Sequence, residues 1–207
     1  MSRPSTAVLL SGAYAALAAL FAAGAFRRFD QWAVDRWMPG NEFNGVELGF
    51  ADSLVPLLHS SWDNGFAIAV NLVTLPAALV ISVALTALAS RRLALALVAA
   101  VAVEVLCKTV IAGPALFHDG SHIVAFDSSF PSGHALRTVI LAGAVALRRP
   151  RLRALAVAWA VAAIVLLELA GWHTPTDLAG GVVLGVLALV GARGAGALRA
   201  RRLAARA

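Results

Sequence analysis

Three polar stretches of this 207-residue chain lie where apolar segments begin or end, and each carries side chains suited to a phosphoryl group. The first is Pro131-Ser132-Gly133-His134. Proline suits the first turn of a helix, where its missing N–H costs nothing. Ser132 and Gly133 would then present backbone N–H groups at the positive end of a helix dipole, where phosphate can bind. His134 on the same turn can donate or accept a proton near neutral pH.

The second stretch contains His173 and Asp177, which are four residues apart. On a helix this spacing places both side chains on one face. A carboxylate bonded to one imidazole nitrogen fixes the tautomer and leaves the other nitrogen basic. His173 could therefore attack phosphorus and form a phosphohistidine, while His134 protonates the leaving oxygen and later activates water.

The third stretch contains Lys108, the only lysine among 17 basic residues. Its presence is either chance or a sign that an ammonium group is needed there. Phosphoryl transfer depends mainly on positioning and on stabilisation of charge, which Lys108 and the Ser132 and Gly133 N–H groups could supply. No cluster of carboxylates suggests a metal ion, so we expect neither a metal nor another cofactor.

The composition is that of an integral membrane protein. The chain is 60% hydrophobic, above the 45–50% or so that is ordinary for soluble domains, and its mean hydropathy is +0.83. The formal charge of +6 does not indicate nucleic-acid binding, because most arginines lie at segment ends. The single cysteine, Cys107, excludes an intramolecular disulfide.

The apolar segments predict an all-α, polytopic membrane protein. A transmembrane helix needs about 20 mostly apolar residues, and six segments meet this expectation, at residues 4–26, 65–90, 93–112, 132–147, 154–171 and 178–198. Ala22-Ala23-Gly24-Ala25 is similar to a signal-peptide cleavage site, but the apolar stretch before it is long enough to favour a retained helix. Residues 27–64 mix tryptophan with acidic residues, which predicts a loop and short amphipathic helix at the interface, acting as an anchor or as a lid.

Arginine clusters follow the second, fourth and sixth predicted spans, which places both termini in the cytoplasm by the positive-inside rule. The loop at 113–130 and the turn at 172–176 then face the extracytoplasmic side of the cell membrane. We expect one membrane domain over the whole chain, made of a first helix with an interfacial segment, a catalytic helical core and a basic cytoplasmic tail, at residues 1–64, 65–198 and 199–207.

Lys108, the Pro-Ser-Gly-His stretch and His173-x-x-x-Asp177 together resemble the motifs of the type 2 phosphatidic acid phosphatase (PAP2) superfamily, over roughly residues 60–198. Gly171-Trp172-His173-Thr174-Pro175-Thr176-Asp177 is similar to the third motif, Gly-x-His-x-Pro-Ser-Asp. The superfamily includes lipid phosphate phosphatases, polyprenyl diphosphate phosphatases and vanadium haloperoxidases. The resemblance implies a six-helix core and a nucleophile at His173 oriented by Asp177. It also implies a general acid/base and a phosphate-binding set, at His134 and at Lys108, Ser132 and Gly133.

The sequence departs from the family pattern at two places. The first motif usually continues from its lysine, after six residues, to Arg-Pro, but here Ala115 and Leu116 follow Lys108 at that distance. The third motif usually begins with Ser-Arg, where this chain has Leu166 and Leu167. Two arginines that the family pattern assigns to phosphate binding are therefore absent.

Arg137 is the residue that could compensate, since it lies three positions after His134 and shares that helix face. An arginine within a membrane span is costly and is usually functional. It could bind phosphate, or it could pair with Glu104 or Glu168. Glu104 is also four residues before Lys108, so those two side chains could pair with each other.

The leading hypothesis is a lipid phosphatase that hydrolyses a phosphomonoester or diphosphate through a phosphohistidine. Polyprenyl phosphates or diphosphates, phosphatidic acid and phosphatidylglycerol phosphate all fit as the lipid partner, and the oligomeric state is left open. The alternative is a non-catalytic, lipid-binding or lipid-translocating relative, which the missing arginines favour. A haloperoxidase is disfavoured, because its bound vanadate needs an arginine-rich cage. His118 and His122, in the predicted outer loop, are interpreted as solvated loop residues rather than as parts of the site.

Overall fold

The computed structural model describes residues 6–37, 76–113, 115–118, 121–122, 130–169 and 173–204. This part of the chain is helical, as predicted, apart from one short antiparallel hairpin. Its helices are α1 Thr6–Ala22, α2 Arg27–Trp37, α3 Pro76–Ala89, α4 Arg91–Val110, α5 Gly133–Arg148, α6 Arg153–Leu169 and α7 Pro175–Ala204, with a 3-10 turn at Pro150–Leu152. The hairpin consists of β1 Phe117–His118 and β2 Ser121–His122, and it lies where a polar loop was predicted.

Helix starts follow from local sequence. Ser90 caps α4 by accepting a hydrogen bond from the Leu93 N–H at 3.4 Å. Ser132 caps α5 in the same way, and Pro175 takes the first position of α7, where its fixed φ suits a helix. The described helix ends lie within a few residues of the predicted span ends for α4, α5 and α6, whereas α1 ends early and α7 extends further at both ends. Helix α3 ends as predicted and is described only from Pro76, so the start of the second predicted span is not tested.

Two helices of the described ranges are long and apolar enough to cross a membrane, namely α4 and the Pro175–Arg193 part of α7. Helices α1 and α2 together are also long and apolar enough to cross a membrane, so they make a third span if they are counted as one broken span. The two helices are bent by 77° relative to each other. The bend follows Gly24, whose φ of +71° is readily adopted only by glycine. The remaining predicted spans and the cytoplasmic position of both termini stay predictions.

Helix α5 is central, because it packs against α3, α4, α6 and α7. Its closest approach to α7 depends on glycines that place backbone against backbone. A Cβ at Gly181 would collide with the carbonyl oxygen of Ser132, and one at Gly185 would come within 2.9 Å of Val139. The start of α5 is therefore held directly against the first turns of α7.

Helix α1 supports the same region through aromatic contacts. The Phe130 ring, just before the start of α5, stacks on Phe21 and Tyr14 with ring centroids 4.6 and 6.2 Å apart. On its other side Phe130 fits against Gly180, where a Cβ would collide with the ring. The Tyr14 hydroxyl also lies 3.3 Å from the Cys107 sulfur. These buried side chains join α1, α4 and α7 in the main apolar core.

Helix α2 lies within residues 27–64, where a loop and a short helix were expected, and it is hydrogen-bonded to the segment that carries the hairpin. The Gln31 side-chain amide donates to the Phe117 carbonyl at 2.5 Å and accepts from the Phe117 N–H at 2.9 Å. The Arg27 guanidinium donates to the Ala115 carbonyl at 3.2 Å. Other predictions lie outside the described residues: the interfacial stretch 38–64, the first part of the second span at 65–75, most of the loop 113–130, and Gly171 and Trp172.

Candidate active site

The two histidines of the predicted site lie in contact at the adjoining ends of α5 and α7. His134 Nδ1 and His173 Nε2 are 2.7 Å apart, which is a hydrogen bond across 39 residues of sequence. His134 lies in the first turn of α5, and His173 lies in the turn before α7. Because a neutral imidazole carries one N–H, one of these rings donates and the other accepts.

The turn that carries His173 is shaped by a reciprocal helix cap. The Thr174 hydroxyl accepts from the Asp177 N–H at 3.3 Å, and the Asp177 carboxylate accepts from the Thr174 N–H at 3.2 Å. This is the capping-box arrangement, with aspartate in the place of the usual glutamate. The same Asp177 oxygen, Oδ2, lies 4.0 Å from His173 Nδ1. That distance exceeds a hydrogen bond, although catalytic hydrogen bonds are often long without substrate.

One expectation for the phosphate-binding residues is wrong in detail. The Ser132 N–H was predicted to be available to an anion, but it donates to the Asp177 backbone carbonyl at 2.9 Å. The Ser132 hydroxyl oxygen accepts from the Ala135 N–H, and the residue is fully buried. Close packing of α7 on the start of α5 explains the difference. Gly133 is the first residue of α5, and the N–H groups at a helix start have no intrahelical partner. The Gly133 N–H is therefore a candidate donor to an anion.

The two cations of the predicted site share one carboxylate. Glu104 Oε1 lies 3.2 Å from the Lys108 Nζ, and Glu104 Oε2 lies 3.4 Å from Arg137 Nη1. Both pairings that the sequence raised for Glu104 are therefore present. Glu168 is placed elsewhere, close enough to Asp30 and Asp177 for their charges to act on it. Arg137 is thus held by α4 rather than by α6.

This ion cluster lies over the first turn of α5. A Cβ at Gly133 would collide with the Glu104 carboxylate and would come within 2.8 Å of Arg137 Nη2. The Arg137 side chain is 11% exposed, and within the described ranges its Nε is buried without a hydrogen-bond partner. Lys108 is more open, at 32% exposed. The cluster therefore combines one accessible cation with one buried cation that keeps an unused donor.

The surroundings of His173 keep its ring neutral. The residue is 8% exposed, and burial is the main reason why the pKa of His173 falls to about 3. The positive charges of Lys108 and Arg137 lower this pKa further. Protonation would add a third positive charge to a buried site, so the imidazole stays unprotonated at neutral pH.

The positions of the two missing arginines carry side chains that cannot bind phosphate. Ala115, at the first position, is exposed, and its carbonyl oxygen accepts a hydrogen bond from the Arg27 guanidinium. Leu167, at the second position, is 4% exposed and packs with Ala135 and Leu178 in a small core cluster that joins α5, α6 and α7.

One further polar residue lies next to the site, and sequence reasoning missed it. Asp30 in α2 is fully buried, and its Oδ1 accepts from the Thr176 hydroxyl at 2.8 Å and from the Thr176 N–H at 3.2 Å. Asp30 had been interpreted only as an acidic residue of an interfacial segment. Nothing in its local spacing relates it to a threonine 146 residues away.

The described ranges contain no group of three or more His, Cys, Asp or Glu side chains placed to hold a metal ion. The expectation of a metal-independent site stays a prediction. His118 belongs to β1 and His122 belongs to β2, and the structure does not describe their side chains.

Comparison with known proteins gives one match. The family model of the PAP2 superfamily matches residues 89–195, which is more than half of the chain and includes α4 to α7. Searches of curated proteins and of solved structures found no match. The matched residues contain both histidines, Lys108, Arg137 and Asp177, and by this match the chain belongs to the PAP2 superfamily.

Proposed function

We propose that this chain is a membrane-embedded lipid phosphatase that hydrolyses a phosphomonoester or diphosphate through a phosphohistidine intermediate. Membership of the PAP2 superfamily supports phosphatase activity, and the apolar helices support a membrane location. The substrate has an apolar tail in the bilayer and a phosphate group at the interface. Polyprenyl phosphate or diphosphate, phosphatidic acid and phosphatidylglycerol phosphate all meet this description.

The observation that carries the proposal is the contact between His134 and His173 beside two cations. Asp177 lies on the Nδ1 side of His173, at 4.0 Å. A carboxylate there favours a hydrogen on Nδ1, which leaves a lone pair on Nε2. His134 Nδ1 would then be the donor in the 2.7 Å hydrogen bond. This tautomer pair gives one nucleophilic nitrogen and one proton donor, facing each other.

In the first half of the proposed reaction, the lone pair of His173 Nε2 attacks phosphorus. A P–N bond forms while the bond between phosphorus and the lipid oxygen breaks. The leaving oxygen takes a proton from His134, which enters this step as an imidazolium and leaves it as a neutral imidazole, while Asp177 stabilises the positive charge that develops on His173. In the second half, neutral His134 removes a proton from water and becomes an imidazolium again. The hydroxide oxygen attacks phosphorus, the P–N bond breaks, and phosphate leaves with His173 regenerated.

Substrate binding must separate the two rings, because nitrogens 2.7 Å apart leave no space for a phosphorus atom between them. The phosphoryl oxygens would then be held by Lys108, the Gly133 N–H, the Ser132 hydroxyl and Arg137. Arg137 takes the place of a missing family arginine in this proposal. Its planar guanidinium can hold two oxygens, and its Nε is a donor without a partner in the described part of the chain.

Phosphate release from a panel of lipid phosphates by purified protein tests the proposal. We expect wild type to release phosphate from at least one lipid and to form an acid-labile phosphoprotein. His173→Ala should abolish both signals, and His134→Ala should depress both, because one group serves as acid and then as base. His122→Ala is the matched histidine control and should leave both unchanged. EDTA should not inhibit, and strong inhibition would indicate a metal.

Full activity of His173→Ala would contradict the phosphohistidine step. Absence of phosphate release from every lipid, with tight lipid binding, would favour the second candidate, a non-catalytic lipid-binding or lipid-translocating protein. That candidate is supported by the apolar side chains at the two arginine positions, Ala115 and Leu167. Against it stands the retention of both histidines and Asp177 in one cluster, which a binding protein does not need.

We further propose that the site faces the extracytoplasmic side of the cell membrane, because the arginine clusters occupy the opposite helix ends. Single cysteines at Ser121 and at Arg151, each in a Cys107→Ala background, separate the two sides. In intact cells an impermeant thiol reagent should label the cysteine at 121 and not the one at 151. Labelling at 151 alone would reverse the orientation.

A further inference from the structure

A buried carboxylate from outside the family-matched residues holds the turn between His173 and Asp177. Asp30 accepts two hydrogen bonds from Thr176, at 2.8 Å from the hydroxyl and 3.2 Å from the backbone N–H. Thr176 directly precedes Asp177. Asp30 therefore holds the residue before Asp177 by both its side chain and its backbone.

Helix α2, which carries Asp30, is also hydrogen-bonded to the hairpin segment. The Arg27 guanidinium donates to the Ala115 carbonyl, and the Gln31 side-chain amide bonds both the carbonyl and the N–H of Phe117. A two-point amide contact fixes orientation as well as distance. Helix α2 therefore connects the segment after Lys108 to the start of α7. Asp30 is the buried residue of α2 that makes this second contact.

We propose that Asp30 is a positioning residue that sets the geometry between His173 and Asp177. The inference rests on the proposed function, since it assigns Asp30 to the same site. Asp30 acts through Thr176 and touches neither histidine in any described contact. Its role is to fix the first turn of α7, so that the Asp177 carboxylate stays on the Nδ1 side of His173.

The geometry shows why a small movement matters. The separation of 4.0 Å between His173 Nδ1 and Asp177 Oδ2 must shorten by roughly 1 Å to make a hydrogen bond. Misplacement on the order of 1 Å can cost roughly 10²-fold in rate. Without Asp30, the Thr176 hydroxyl and N–H would be buried without these acceptors, and the turn would be free to move away from the histidine.

Two substitutions at one position separate geometry from charge. Asp30→Ala removes the acceptor, and we expect kcat to fall roughly 10²-fold with little change in KM, because the phosphate ligands are untouched. Asp30→Asn keeps an acceptor oxygen and should restore most of the lost kcat. Arg28→Ala, an exposed charged position on the same helix, is the control and should behave as wild type.

A double-mutant cycle ties the effect to the contact. Thr176→Val removes the hydroxyl that Asp30 accepts from, so it should lower kcat alone but add little in the Asp30→Ala background. Three results would each overturn the positioning role. They are a fall in kcat accompanied by a large rise in KM, no rescue of kcat by Asp30→Asn, and additive effects of Asp30→Ala and Thr176→Val. Loss of folded protein is controlled by comparing kcat per folded molecule, measured from the thermal unfolding of each variant.

Hydrogen exchange distinguishes failure of this inference from failure of the proposed function. Backbone amides of Thr174 and of residues 176–178 in the full chain should exchange faster in Asp30→Ala than in wild type or Arg28→Ala. Unchanged exchange would overturn the inference even if the wild type is an active phosphatase. Faster exchange in a protein that releases no phosphate would instead contradict the proposed function, and with it a catalytic purpose for Asp30.

Discussion

The histidine cluster and the α1–α2 arm support the same site in different ways. In the cluster, the contacts that shape each helix start join residues close in sequence, such as Thr174 with Asp177 and Ser132 with Ala135. In the arm, the contacts reach residues 86 to 146 positions away, as from Gln31 to Phe117 and from Asp30 to Thr176. Short-range caps build the chemical groups, while long-range contacts fix how the groups face each other.

The two regions also differ in relation to the family. The cluster lies within the residues that match the PAP2 superfamily, whereas α1 and α2 lie before them. Aromatic packing from α1 nevertheless reaches Phe130, next to the start of α5. The candidate chemical groups therefore lie within the matched residues, and contacts from a segment outside the match reach them.

The largest effect is expected within the cluster, at Arg137. Arg137→Lys keeps the charge but loses the planar fork and the Nε donor. If Arg137 holds the phosphoryl group, kcat/KM should fall by about 10²–10³, the usual cost of removing one transition-state donor. Arg151→Lys, at the opposite helix ends, is the matched control and should leave kcat/KM unchanged. Phosphate release from the preferred lipid, at constant folded fraction, measures both.

Wild-type turnover by folded Arg137→Lys and Arg137→Gln would show that Arg137 does not bind phosphate. If both variants unfold and Glu104→Gln restores them, then Arg137 is a structural partner of Glu104. That result would leave Lys108 as the one cation of the described cluster that is proposed to bind phosphate.

Much of the helical pattern could be predicted from the sequence, because helix starts depend on local signals. Ser90, Ser132 and Pro175 mark three starts, and the apolar stretches between polar ones give approximate lengths. The bend after Gly24 was not predicted, since a glycine in an apolar stretch fits a straight helix equally well. Nor was the hairpin at 117–122, whose two-residue strands are too short for a periodic pattern.

The candidate site was predictable where spacing along a helix places residues together. The i, i+4 relation of Glu104 and Lys108 is of this kind, and the nearness of Arg137 to His134 follows from three-residue spacing. Asp30 could not be found this way, because its partner is distant and its local sequence resembles an interfacial helix. The hydrogen bond from the Ser132 N–H to the Asp177 backbone carbonyl depends on how closely α7 packs on α5. Residue spacing along the sequence does not reveal that packing.

The next effect, in the arm, is on stability. Phe21→Ala removes a ring that is 3% exposed and stacked on Phe130. The loss of packing and the cavity should lower the free energy of unfolding by about 3 kcal/mol. Leu20→Ala, on the exposed side of α1, is the control and should have a much smaller effect. Unfolding in mixed detergent and SDS micelles measures both variants.

Phe21→Ala also tests how the arm and the cluster are coupled. If α1 supports the start of α5 through Phe130, the variant should lose kcat as well as stability. A variant that is destabilised but has wild-type kcat per folded molecule would show that the arm stabilises the fold without shaping the site. Wild-type stability would contradict the packing role itself.

The smallest effect concerns the pH dependence of stability, and it returns to His173. In an unfolded chain the pKa of histidine is about 6.5, whereas burial and the charges of Lys108 and Arg137 lower the pKa of folded His173 to about 3. Between these values the unfolded state binds a proton that the folded state does not. The contribution of neutral His173 to stability is therefore present above about pH 6.5 and is lost as the pH falls toward 3.

His173→Gln keeps a neutral, hydrogen-bonding side chain and removes this titration. We expect the free energy of unfolding of wild type to fall more steeply than that of the variant between pH 6 and 4, by about 1.4 kcal/mol per pH unit for one proton. Unfolding in mixed micelles across this range measures the difference. Equal slopes would mean that folded His173 takes up its proton as readily as the unfolded chain. His173 would then be accessible to water, and the contacts of α1 and α2 would not be sufficient to keep it buried.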